Sequence, residues 1–120
     1  MGRYVDGFVL PIPRRNHAAY VRMSRIAAKV WIEHGALEYH ECVADDVKRG
    51  KFTSFPRSVK LKPNEVVWFS WIMFKSRAQR DRVNAKVMND PRLAKYMNSR
   101  AMPFDGKRMF YGGFKVVIGR

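Results

Sequence analysis

The sequence predicts an α+β fold assembled in the order β-α-β-β-α-β. Three observations predict it. Four apolar or alternating runs are bounded by glycine and proline, as strands are. Two stretches with helical periodicity separate them in pairs, each with its own start or stop signal. The run "EVVWFSWIMFK", residues 65–75, is apolar on both faces of any strand it forms.

"YVDGFVLPIP" reads as a first strand, Tyr4 to Leu10, ended by Pro11 and Pro13. A helix follows from about Arg15 to His34 and stops at Gly35. Ala19, Met23, Ala27 or Ile26, Val30, Trp31 and His34 fall three or four apart on one face, with Arg22, Arg25, Lys29 and Glu33 opposite. "ALEYHECVA" is a second strand, Leu37 to Ala44. Residues 47–63 form a long basic connection broken by Gly50, Pro56 and Pro63. The doubly apolar run is strand three. Ser76 and Gln79 then have the spacing of a capping box, opening a helix that runs to about Met88. Asp90-Pro91 starts a short extra helix, where the missing proline N–H needs no partner. After a turn at Asp105-Gly106, Lys107 to Ile118 is the last strand, with Gly112-Gly113 marking a bulge or a close approach.

Two β-α-β halves in succession give the ferredoxin-like arrangement: one four-stranded antiparallel sheet with both helices on one face. A chain of 120 residues fits a single such domain. Strands lie about 4.8 Å apart and a helix is about 10 Å wide, so two helices cover one face of the sheet and no more. Strand three offers Val67, Phe69, Trp71 and Met73 to one side and Val66, Trp68, Ser70, Ile72 and Phe74 to the other. Whichever set faces away from the helices exposes roughly 600 Å² of apolar surface, at the upper edge for a monomer. At ~25 cal/mol per Å² its burial is worth on the order of 15 kcal/mol as an upper bound. A second copy, packed sheet against sheet by a two-fold axis, is the expected cover.

Composition narrows the function classes. The apolar fraction of 47% with 13% aromatics belongs to a folded chain. The longest uncharged apolar run, Val66 to Phe74, falls far short of the ~20 residues of a membrane span. The N-terminus carries no apolar segment with a cleavage site, and Asp6 stands where a myristoylation motif wants Ser or Thr. Cys42, the one cysteine, excludes an internal disulfide and suits a cytoplasmic protein. The net charge of +14, from 24 Lys plus Arg against 10 Asp plus Glu, favours anionic partners at low salt. The basic residues are spread along the chain, which equally describes a solvated basic surface.

The catalytic candidates are His34, Glu41 and Asp6. His34 ends the first helix on its apolar side, either as a base toward a pocket or as a histidine favoured by the helix dipole. Asp6 and Glu41 sit inside strands, where carboxylates are disfavoured. Pointing inward, either has a raised pKa unless an arginine pairs with it. A strand sends Glu41 opposite to His40 and Cys42, so this run does not converge on a metal ion. Cys42 without a matched base reads as a small buried apolar residue. Trp31, Tyr39, Trp68, Ser70 and Trp71 are the expected lining of a ligand pocket. "YGGF" lacks the spacing of a phosphate loop, and no cofactor is implied.

In the basic connection, Lys48, Arg49, Lys51, Arg57, Lys60 and Lys62 interleave with Phe52 and Phe55. Single-strand binders use that pattern, cations for phosphates and rings for bases. The same phenylalanines serve equally to pin a long arm to a core.

"YVDGFVLPIP", "EHGALEYHECVADDV", "FSWIMFKSRAQRDRVNAKVMNDPR" and "MPFDGKRMFYGGF" together resemble a bacterial family of small proteins typified by YbaA. The resemblance spans nearly the whole chain. It implies the dimeric α/β barrel, in which two ferredoxin-like sheets pair face to face, and it implies no particular reaction. Monooxygenases, haem-degrading enzymes and stress-response dimers share that architecture, by fold alone. The expectation is a cytoplasmic homodimer that binds a small, partly apolar molecule between sheet and helices, with cofactor-independent oxygenation or proton transfer as the reaction to test. The alternative is a basic nucleic-acid-binding dimer.

Overall fold

The computed structural model describes residues 2–96 and 101–120. Its spine is the doubly apolar run, now strand β3 (Glu65–Phe74), which pairs antiparallel with β1 (Tyr4–Pro13) on one edge and β2 (Glu38–Val43) on the other. β4 (Phe110–Lys115) pairs antiparallel with the outer edge of β1, giving the order β2-β3-β1-β4. Helix α1 (His17–Glu33) joins β1 to β2, and α3 (Arg77–Met88) follows β3. The result is the α+β, ferredoxin-like arrangement that the element order predicts, a four-stranded antiparallel sheet with helices.

Three boundaries differ from expectation. β1 continues through both prolines to Pro13. Its pairing with β4 ends at Val9, so beyond that point one edge of β1 is free and a missing N–H there costs nothing. The last strand is shorter than Lys107 to Ile118, because residues 106–108 close a 3-10 turn capped by the Asp105 carboxylate. The basic connection is not featureless: Ser54 caps a one-turn helix, α2 (Phe55–Ser58), by accepting from the Arg57 backbone N–H.

The α3 cap differs in one bond. Ser76 Oγ accepts from the Gln79 backbone N–H at 3.1 Å, as the spacing predicts, but the Gln79 side chain accepts from Lys75 N–H at 2.6 Å. Its amide nitrogen then donates to Gly35 O at 2.9 Å, tying the start of α3 to the end of α1. Gly35 has φ of +120°, a conformation that side chains resist, which is why the helix stops there. α4 (Pro91–Ala94) follows the Asp90 cap at the expected place.

The pleat decides which side of β3 meets the helices. Trp68, Ser70, Ile72 and Phe74 turn toward α1 and α3 and are buried. Phe74, Ile72, Val30, Val83 and Val87 form the centre of one core cluster, and Leu10, Ile12, Tyr20 and Trp68 form another. The buried stripe of α1 is Tyr20, Ser24, Ala27 and Val30, so Ala19 and Met23 sit only at its margin. On the opposite sheet face, Val59 from the connection packs on Val9 and Val67 and shelters one end. The rest of that face stays open: Phe69 is 41% exposed and Phe114 63%. No helix among the described residues is long and apolar enough to cross a membrane.

Candidate functional site

Tyr39 and Glu41 lie two apart on β2 and therefore share a face, the one turned to α1. Tyr20, on the buried stripe of α1, closes the same space from above. Its hydroxyl donates to Glu41 Oε1 at 2.7 Å, and the Tyr39 hydroxyl donates to Oε2 at 2.7 Å. Both carboxylate oxygens are thereby held by neutral donors. Burial pushes the Glu41 carboxyl above the ordinary glutamate value, against the lowering effect of the two phenols. Burial and the neighbouring Glu41 charge in turn push both phenols far above theirs, so they stay protonated donors. Ser24, one turn along α1, is close enough to help hold the carboxylate down, yet its buried Oγ has no partner in hydrogen-bond geometry.

Glu41 is part of the wall of a cavity of about 140 Å³ between the sheet and α1. Phe8, Ser70 and Ile72 make its floor; Ser70 sits beside both Phe8 and Glu41 in the strand register. Tyr20, Met23, Ala27 and Trp31 make the α1 side. Leu93, Tyr96, Met102, Phe104 and Met109 complete the lining. Trp31 is fixed by donating its indole N–H to Asn84 Oδ1 at 3.0 Å, and its ring lies 5.9 Å from that of Tyr39. The wall is thus apolar and aromatic, with one carboxylate and a few hydroxyls.

The structure brings Glu41, Trp31, Tyr39 and Ser70 together here and separates the other candidates. Asp6 is buried outside the cavity, 3.1 Å from Arg80 Nη1 and 3.4 Å from Asn84 Nδ2. Burial raises its pKa even so, with Arg80 opposing. His34 is spent at the helix junction, 2.9 Å from the Asp90 carboxylate, which also takes Arg92 at 2.7 Å. These partners hold Asp90 far below the usual carboxylate range. Trp68 is buried behind the cavity wall, its ring 4.9 Å from Tyr20 and edge-on. Trp71 points to the open sheet face and stacks on His40 at 4.2 Å. It does not reach the helix-side cavity, because neighbouring strand residues alternate faces. Cys42 is exposed rather than buried, since β2 is an edge strand. No group of three His, Cys, Asp or Glu among the described residues is arranged to hold a metal ion.

Tyr20, Phe8, Tyr96 and Phe104 escaped sequence reasoning. Tyr20 had a signal, the spacing Tyr20, Ser24, Ala27, and Phe8 lay in a strand whose inward face the pattern left open; Tyr96 and Phe104 come from segments whose fold-back no local pattern announces.

In the connection, Arg57 is consumed locally, its Nη2 donating to Gly50 O at 2.7 Å and its Nε reaching Arg49 O at 3.1 Å. Lys48, Arg49, Lys51, Lys60 and Lys62 are exposed. Phe55 leans edge-on toward Phe69, and Phe52 is 93% exposed.

A family model described as protein of unknown function (DUF1428) matches residues 3–106. The uncharacterized protein YbaA of Escherichia coli strain K12 is 49% identical over 116 residues, 97% of this chain and 97% of its own. The YbaA protein of Shigella flexneri matches to the same extent. A crystal structure of a dimeric ferredoxin-like protein from an uncultured marine organism matches over 100% of both chains, with a TM-score of 0.64 at 10% identity. At that identity the likeness is one of fold.

Proposed function

This chain belongs to the DUF1428 family, proteins of unknown function, and from that premise we propose that it is a homodimer whose protomers each bind a small, largely apolar molecule in the cavity between the sheet and α1. One observation carries the reading: a carboxylate held by two tyrosine hydroxyls forms the only charged part of an otherwise greasy wall among the described residues. Buried polar groups set in an apolar cavity are the usual mark of a ligand site. Glu41 is then the group that meets the ligand's polar end. Turnover, on the same reading, begins with transfer of a proton from the bound molecule to Glu41, the opening step of a cofactor-independent oxygenation. Asp6, ion-paired with Arg80, and His34, hydrogen-bonded to Asp90, serve structure instead.

Benzyl alcohol, titrated into the native protein, tests the cavity. The amide resonances of Tyr39, Glu41 and Ser70 should move, and Ala27→Leu, which fills the space, should abolish the effect. Shifts confined to the open sheet face, or none, defeat the reading.

The dimer is supported by the apolar concavity of about 520 Å³ on the open face, lined by Val5, Phe69, Trp71, Phe110 and Phe114. It is supported too by the marine relative in fold, which is described as dimeric. Sedimentation at micromolar concentration should give twice the 14.1 kDa chain mass.

A second reading, nucleic-acid binding, rests on Phe52, fully presented beside Lys48, Arg49 and Lys51. Binding to random oligonucleotides should then weaken steeply with salt, and the slope should flatten when Lys60 and Lys62 are neutralised.

A further inference from the structure

Glu41, a half-buried carboxylate, differs from the fully buried ones in its partners. Asp6 has Arg80, Glu65 has Arg108, and Asp90 has Arg92 and His34. In a chain with 24 lysines and arginines, no cationic side chain among the described residues pairs with Glu41. Its partners are two phenols, which solvate the charge and do not neutralise it. An ionised carboxylate buried without a counter-charge is costly, and proteins usually supply a partner.

The surroundings suit one. Tyr20, Trp31, Tyr39, Tyr96, Phe8 and Phe104 turn the cavity into an aromatic enclosure. Aromatic faces carry negative potential and attract cations, most strongly where water is excluded. The volume of about 140 Å³ is close to the ~150 Å³ of an engineered cavity that accommodates benzene. We propose that this site binds a small organic cation: a protonated primary amine bearing a single ring, or an alkyl group of similar bulk. The ammonium group supplies the counter-charge that no described residue gives Glu41, and the apolar part lies against the aromatic wall. This assignment rests on the cavity being the ligand site. It runs against the charge of the molecule as a whole, since a +14 surface draws anions. An acid or phosphate that reached the cavity would meet Glu41 and be rejected.

Three probes of one size separate the terms: benzylamine, toluene and benzoate, titrated into the native protein at about 0.15 M salt and followed through the Tyr39 and Ser70 resonances. Benzylamine should bind about tenfold tighter than toluene or better, a difference within the reach of one ion pair and cation–π contacts. Benzoate should not bind. Glu41→Gln should bring benzylamine down to the toluene level and leave toluene unchanged, while Tyr39→Phe, which keeps the carboxylate, should preserve the order of the three. Benzoate binding as tightly as benzylamine overturns the assignment, as does full benzylamine affinity in Glu41→Gln. Should Glu41→Gln fail to fold, the ranking of the three probes on the native chain decides the matter alone. Toluene bound with no gain for benzylamine removes the cation and leaves the cavity reading intact. Silence from all three removes both.

Discussion

The Tyr20 hydroxyl meets Glu41 Oε1 at 2.7 Å, joining the middle of α1 to an edge strand across the cavity. The bond neither neutralises the carboxylate nor frees it, and this leaves a charge inside an apolar wall.

Glu41→Gln should therefore stabilise the protein near neutral pH. The folded state raises the Glu41 pKa above its ordinary 4.5. A raised acid favours the fold while protonated, and that contribution is lost as pH climbs through the raised value. Glutamine removes the charge and keeps both contacts, its amide oxygen accepting from one phenol and its amide nitrogen donating to the other. The expected gain is about 1 kcal/mol at pH 7, vanishing in acid, read by urea unfolding at several pH values. A variant that is less stable at pH 7 contradicts the desolvation account.

Arg108→Met should be severely destabilising. Arg108 grips both oxygens of the buried Glu65, at 2.7 and 2.6 Å, and its Nη1 also reaches the Val59 and Lys60 carbonyls. Removing it strands a buried carboxylate, at a cost of about 3 kcal/mol. The arginine holds the Glu65 pKa below its ordinary 4.5, so this stabilisation is present above that pH and lost as pH falls below it. Thermal melting between pH 3 and 7 should show the native chain losing more stability in acid than the variant does.

Phe114→Asp should convert the proposed dimer to monomer. Phe114 and Phe69 stand on the open sheet face, in the proposed path of a second sheet. A carboxylate there would be buried against apolar surface on pairing, which strongly opposes association. Sedimentation should show the mass halved, with the melting of the isolated protomer little changed at high dilution. A native chain that is already monomeric at micromolar concentration refutes the interface.

Gly113→Ala should cost about 2 kcal/mol by overpacking. A Cβ at Gly113 would run into the ring of Tyr4, which is itself pinned by Arg80 lying 4.9 Å over its face and donating to its hydroxyl at 3.2 Å. The close approach at the glycine pair is thus with a neighbouring strand's side chain. Chemical denaturation measures the loss directly.

Local pattern alone determined a good deal here. Period-two and period-3.6 alternation, together with Gly35, Ser76 and Asp90-Pro91, placed the principal strands and helices, because these signals act within a few residues of where they are written. The two-faced character of β3 was legible for the same reason. Only the tertiary structure decided which of those faces meets the helices, because the pleat fixes alternation and leaves its phase to packing. Likewise Asp6 and Glu41 are both strand carboxylates in the sequence, yet Asp6 finds Arg80, 74 residues away, and Glu41 finds two phenols and no cation among the described residues. Which charge is compensated depends on long-range juxtaposition, and on that difference the candidate site is built.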